Sequence, residues 1–202
     1  MSKRPTTQRS ASIKAAKAFM HAHDPDPEHA LHVCRNSLAL FDVFEDLHGL
    51  GKHERFLLEA AALMHDTGYA NRPMQHHKGS RDLILASGLE GFSSRELAMV
   101  ACIARYHRKG DPKPSHSEYK ALEKDDRETV TKLAAILRVG DGLDRTHSGL
   151  TGLLRVEQTH NLAILYVRQN ISAGIDVDTA KGKAALFERV YDLKLEICPE
   201  GQ

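Results

Sequence analysis

The sequence predicts a mainly α fold: a helical bundle followed by a small C-terminal α+β appendage. Two observations carry this. Up to about residue 151, apolar side chains recur at i, i+3/i+4 and i+7, punctuated by Pro- and Gly-containing turns. Past Gly152 the texture changes to β-branched and alternating residues, then returns once to helical periodicity. The expected organisation is a flexible tail over 1–11, a helical domain over 12–151 and a small α+β subdomain over 152–202. A chain of 202 residues buries roughly 70% of its unfolded surface, so neither disulfide nor structural metal is required for stability.

The elements follow in order. A helix is expected from Ser12 to about Ala22, and "HDPDPE" breaks it with two prolines. Pro27 suits the first turn of the next helix, which runs to about Leu47. "HGLGK" is a turn, and a helix over about Glu54 to Asp66 is closed by "TGYANRP". "HHKGSRDLILAS" is a shorter helix ended by Gly88. Ser93 or Ser94, with Glu96 in the first turn, opens a helix to about His107. After the turn-rich "RKGDPKPSH", a long helix spans "ALEKDDRETVTKLAAILRVGDGLDRTH". "LLRVEQTH" and "LAILYVRQN" read as strands around a hairpin at "HN", "AGIDVD" as a third strand, "TAKGKAALFERVYDL" as a helix and "KLEI" as a last strand.

Bulk charge narrows the class. Lys and Arg (28) nearly balance Asp and Glu (27), so no long-range field favours nucleic acid or a membrane surface. Cys34, Cys102 and Cys198 are odd in number, far apart and in no metal-binding spacing, as in a reducing compartment. The polar start "MSKRPTTQRSAS" lacks the apolar core of a secretory signal, and no run approaches the roughly 20 apolar residues of a membrane span. A cytoplasmic protein is expected.

"ALMHDTGY" (62–69) interrupts an apolar helical run with His65 and Asp66. A buried, unpaired carboxylate costs several kcal/mol, so the pair calls for partners. Other helices offer them. His65 continues the stripe of Leu58 and Ala61 or Ala62; His107 that of Val100 and Ile103; Asp141 that of Leu133 and Leu137; and His29 that of Val33 and Leu40. A lone His on an apolar face is more often a hydrogen-bonded core residue than a ligand. Three imidazoles and two carboxylates on inner faces instead suit a divalent transition metal (Mn, Fe, Ni, Co or Zn), with Mg less suited where His dominates.

"EHALHVC", "MHDTGY", "HHKGS", "RYHRKG" and "GDGLD", in that order, resemble the motifs of the HD-domain metal-dependent phosphohydrolase superfamily. Adding "LHGLG", "YHRKGDPKPSH", "GDGLDRTH" and a tail ending in "ALFERVYDLKLEI", roughly residues 13–198 resemble the C-terminal region of the exopolyphosphatase/guanosine pentaphosphate phosphohydrolase family. Members carry actin-like catalytic domains upstream that these 202 residues do not include, so exopolyphosphatase activity is not carried over. The resemblance implies an HD-type helical bundle with His29, His65, Asp66 and Asp141 as ligands of one ion. His76 and His107 would complete a second site, with Asp66 bridging. His77 competes with His76, which has the motif's spacing to Ser80. Tyr69 stands where cyclic-di-GMP phosphodiesterases of this type have Lys and nucleotidase-like members have Glu. The Glu-Asp pair of the guanosine tetraphosphate hydrolases is absent after the doublet. None of those three substrates is supported.

The expected activity is therefore metal-assisted hydrolysis of a small phosphorylated compound, a nucleotide or short polyphosphate. The alternative is a non-catalytic module that senses such a compound or docks on a partner protein. Asp66 and Asp144 are the candidate catalytic residues, Asp144 as a base or as the orienter of a ligand. Lys78, Arg81, Arg108, Lys109 and Arg145 are the candidate phosphate contacts, although such residues often only solvate a surface. Arg145 and His147 carry weaker signals than Asp144. An exposed strand edge in the appendage would favour pairing with a second copy as a homodimer.

Overall fold

The computed structural model describes residues 6–201. Helices α1 (Thr6–His23), α2 (Pro27–Val43), α3 (Glu45–His48), α4 (Lys52–Met64), α5 (His76–Ala86), α6 (Ser94–Arg105), α7 (Ser117–Lys120) and α8 (Lys124–Gly142) come first. They are followed by β1 (Leu153–Gln158), β2 (Leu162–Arg168), α9 (Ala173–Lys183), α10 (Ala185–Tyr191) and β3 (Lys194–Glu200). The class is the expected one, mainly α with a small C-terminal α+β unit.

Local chemistry sets the helix starts that matter for the site. Asp26 accepts the His29 backbone N–H at 3.2 Å, and Pro27 occupies the first turn, which fixes His29 at the entry of α2. At α6, Glu96 accepts the Ser93 backbone N–H at 2.7 Å while the Ser93 hydroxyl accepts that of Glu96 at 3.2 Å, a reciprocal cap. Leu58, Ala61 and Ala62 make α4 the central helix, packed by α1, α2, α6 and α8. A two-pronged Arg95–Asp126 ion pair ties the start of α6 to that of α8.

The sheet order is β1-β2-β3. β1 and β2 form an antiparallel hairpin with Gln158 opposite Ala163, so its turn holds His160 and Asn161 as expected. β3 runs parallel to β2 with Leu165 opposite Ile197, which makes α9 and α10 the crossover. Ala163, Leu165, Val167, Leu195 and Ile197 join the helices in one continuous apolar core. Phe187 of α10 meets Phe44, at the end of α2, with ring centroids 5.2 Å apart.

Three expectations are corrected. α1 begins inside the span expected to be tail; residues 1–5 lie outside the described residues. "AGIDVD" is not a strand but the start of α9, because Ala173, Asp176, Val177 and Ala180 form a buried i, i+3, i+4, i+7 stripe that overrides the Ile175/Val177 alternation. The long helix ends at Gly142, which leaves Asp144 in the following turn.

Candidate metal centre

The helix ends converge. His29 lies in the first turn of α2, His65 and Asp66 directly follow α4, His76 opens α5, His107 lies just past α6 and Asp141 is in the last turn of α8. All six are nearly or fully buried. Gly68 makes the approach of α5 possible: a Cβ there would stand 2.1 Å from the Ser80 backbone nitrogen and 2.6 Å from the His76 carbonyl oxygen. The Gly68 N–H donates to the Ser80 hydroxyl at 2.9 Å, locking the turn after Asp66 onto the helix that carries His76. On the other side Arg138, buried in α8, donates to the Tyr106 carbonyl at 2.6 Å and holds the segment bearing His107.

Each imidazole is oriented from behind. His65 Nδ1 donates to the Ala62 carbonyl at 2.8 Å, His76 Nδ1 to Pro73 at 2.9 Å and His107 Nδ1 to Ala104 at 2.7 Å. Neutral rings so held carry an unprotonated Nε2 on the inward side. His29 Nδ1 faces Asp144 at 2.8 Å, a carboxylate behind an imidazole.

The front atoms meet as two overlapping groups. His29, His65 and Asp66 offer ligand atoms within 4.8 Å of one another, and so do Asp66, His76 and His107. Asp141 Oδ1 lies 3.5 Å from His29 Nε2 and 3.9 Å from His65 Nε2. Asp66 Oδ1 lies 3.3 Å from His76 Nε2 and 3.5 Å from His107 Nε2. His65 Nε2 and Asp66 Oδ1 are buried without a hydrogen-bond partner, a costly state for polar atoms. His76 and His107 bring their Nε2 atoms to 3.1 Å of each other with both Nδ1 protons committed to carbonyls. Two unprotonated Nε2 atoms at that distance would repel, and a cation between them would relieve the conflict. On donor type, orphaned atoms and fixed tautomers, the residues fit a divalent transition metal.

Electrostatics agree with that fit. Burial alone would raise the Asp141 carboxyl, but Lys183, His29, His107 and His65 outweigh it and hold it well below the usual range. Asp66 is likewise lowered by His65, His107 and His76 against its burial. Burial pushes His107 down to about 3, so this ring is neutral. His29 rises to about 10 despite burial, because Asp141 and Asp144 attract positive charge to it.

Five of the six residues, with His65 buried behind them, face a cavity of about 340 Å³ lined also by Tyr69, Arg108, Lys109, Arg145, His147, Thr179 and Lys183. Of the expected phosphate contacts, Arg108, Lys109 and Arg145 line it and Lys78 and Arg81 do not. Arg81 instead pairs with Glu118 at 2.8 Å and with Asp82 at 2.6 Å. Asp144, fully buried, binds His29 and the Gly149 N–H (2.8 Å) and is not part of the lining. His77 also lies off the lining. Spacing offers no sign of Lys183, whose Nζ pairs with Asp141 Oδ2, because it comes from the appendage. Arg138 is equally hidden, being a lone cation in an apolar stripe. His147 stacks on His29 at 3.9 Å and is held through Nδ1 by Asp26 at 2.7 Å.

Residues 9–172 match the family model described as Ppx/GppA phosphatase, domain III. The chain belongs to that family. The match runs from within α1 to past β2 and therefore includes all six converging residues of this Ppx/GppA domain III chain, and it relates the chain to polyphosphate and nucleotide phosphatases through one of their domains. No described helix of this domain III chain is long and apolar enough to cross a membrane.

Proposed function

We propose that this domain is a metal-dependent phosphohydrolase acting on a phosphate ester or anhydride of a small compound, a nucleotide or short polyphosphate. The observation that carries the reading is the convergence of His65, His76 and His107 Nε2 on Asp66 and Asp141, each ring fixed by a backbone carbonyl. His29, His65, Asp66 and Asp141 would hold one divalent ion, and Asp66, His76 and His107 a second. A bound ion would supply neutralisation of charge on the transferring phosphoryl group and acidify water. The chain's own contribution is positional. Arg108, Lys109 and Arg145 bring positive charge to the mouth, where phosphate oxygens arrive. Tyr69, 44% exposed against His76, forms one wall. His147, as an imidazole at the same cavity, can pass a proton to a departing oxygen.

One observation favours a second reading, a binding or regulatory module. Among the described residues lining the cavity, the carboxylates are Asp66 and Asp141 alone, both within the proposed ligand set, so no further carboxylate stands ready as a base. Purified, metal-reconstituted protein assayed against a panel of phosphorylated compounds separates the two. Phosphate release that is lost in the His65→Ala, Asp66→Ala double variant and on chelation supports the enzyme. Tight nucleotide or polyphosphate binding without release supports the module and removes the enzyme.

A further inference from the structure

The cavity has one wall from beyond the family match. Thr179 and Lys183 of α9 line it, whereas the match ends at residue 172. α9 is held in place by two contacts with the end of α8 and the turn after it. Gly142 packs directly on it, since a Cβ there would lie 2.5 Å from Ala180 Cα. Asp176, fully buried, accepts the Thr146 N–H at 2.9 Å and the Thr151 hydroxyl at 2.6 Å. One and two turns on, the helix presents Thr179 and Lys183 to the cavity. The Thr179 hydroxyl donates to the Ile175 carbonyl at 2.8 Å, so its proton is committed. The Lys183 ammonium pairs with Asp141 Oδ2, and its side chain is 20% exposed. The other oxygen of that carboxylate is the one facing His29 and His65.

We propose that Lys183 anchors the phosphoryl group in this cavity and shares Asp141 with the metal ion in opposition to it. This rests on the metal-dependent phosphohydrolase reading and adds the residue through which the C-terminal unit takes part. An ammonium has three donors, and Asp141 occupies one direction only, which leaves N–H groups for an anion beside Arg108, Lys109 and Arg145. A metal ion held by Asp141 would be repelled by the ammonium on the same carboxylate, so Lys183 would weaken ion binding while strengthening anion binding. A lysine that only balances the buried charge of Asp141 would also tighten the ion on its loss, but it would leave phosphate affinity unchanged, so the phosphate arm separates the two roles.

The test uses the full chain, stripped by chelator, with Mn²⁺ and then inorganic phosphate titrated calorimetrically into wild type, Lys183→Gln and Lys183→Arg. Thermal melting shows that each variant is folded. Lys183→Gln is expected to bind Mn²⁺ about tenfold more tightly and phosphate about tenfold more weakly, with Lys183→Arg within about threefold of wild type for phosphate. A Gln variant that leaves phosphate affinity unchanged, or that weakens both ligands, overturns the proposal. If wild type binds no Mn²⁺, the phosphohydrolase reading fails separately. Phosphate binding by the metal-free chain then decides Lys183: its loss in the Gln variant upholds the anchor, and its persistence there or absence from wild type rejects it.

Discussion

His29 and Asp144 meet at 2.8 Å, Nδ1 to Oδ2, where Asp144 has no exposed surface. The pair spans the start of α2 and the turn after α8, so it sets both the ring angle of His29 and the register of two helices. Asp144→Asn keeps an acceptor for the Gly149 N–H but removes the charge behind the imidazole. Metal affinity should fall by about 10- to 100-fold, the usual cost of losing such an outer partner. Calorimetric titration with Mn²⁺ measures it, and an unchanged affinity would remove Asp144 from the site.

Gly68→Ala should be severe for a different reason. Its Cβ would collide with the backbone of α5, at 2.1 Å from the Ser80 nitrogen, and backbone cannot rotate aside. A loss of about 1–3 kcal/mol is expected from overpacking. His76 would be pushed from Asp66, so in a folded variant elemental analysis should show less metal than in the wild type, as the proposed site of Asp66, His76 and His107 loses a ligand. Wild-type metal content with full stability is the contrary outcome.

Saturating Mn²⁺ should raise the melting temperature of the wild type and leave the His65→Ala, Asp66→Ala variant unmoved. At a hundredfold excess over Kd, linkage gives about 2.7 kcal/mol of added stability. A scan with and without chelator reads it directly; equal shifts in both proteins would place the ion elsewhere.

Arg81→Ala should leave phosphate affinity within about twofold of wild type, since its guanidinium is engaged with Glu118 and Asp82 and a distant surface charge is screened. Arg145→Ala, at the cavity wall, should weaken it. The reverse ranking would mean that the phosphate enters from the α5 side.

Glu59, on α4 and remote from the candidate ligands, is held above its usual range by burial, against the pull of Arg55 and Lys17. The folded chain therefore keeps its proton to higher pH than the unfolded one. The group's contribution is favourable at low pH and is lost as pH rises from the ordinary carboxyl range through the raised value. Glu59→Gln should flatten that part of the pH–stability curve and stabilise the protein at neutral pH, as denaturant titrations at several pH values will show. A steeper curve in the variant would reverse the sign.

The bundle is legible from periodicity because each helix has one fully buried face: Leu58, Val100, Leu133 and Val33 all mark it. The convergence of His29, His65, His107 and Asp141 follows from the same stripes, as polar residues at the end of apolar faces have nowhere to go but inward. His76 is different. It opens its helix, so no stripe precedes it, and only the motif resemblance distinguishes it from His77. The first half of α9 reads as a strand because Ile175 and Val177 alternate locally, and Lys183, inside the span that reads as helix, has no spacing that ties it to the other helices. Arg81 and Arg108 look alike in sequence, and what separates them is Glu118, 37 residues from Arg81. Partnerships of that range leave no local pattern.

The parallel pairing of β3 with β2 also has a consequence in time. Strands so joined cannot zip from a tight turn; the closing contact waits until the whole crossover has formed and the final segment has been made. During synthesis, the imidazoles and carboxylates therefore emerge before α9 is pinned across them. In a newly made chain all six of the converging residues are therefore out before Thr179 and Lys183 can close the cavity over them.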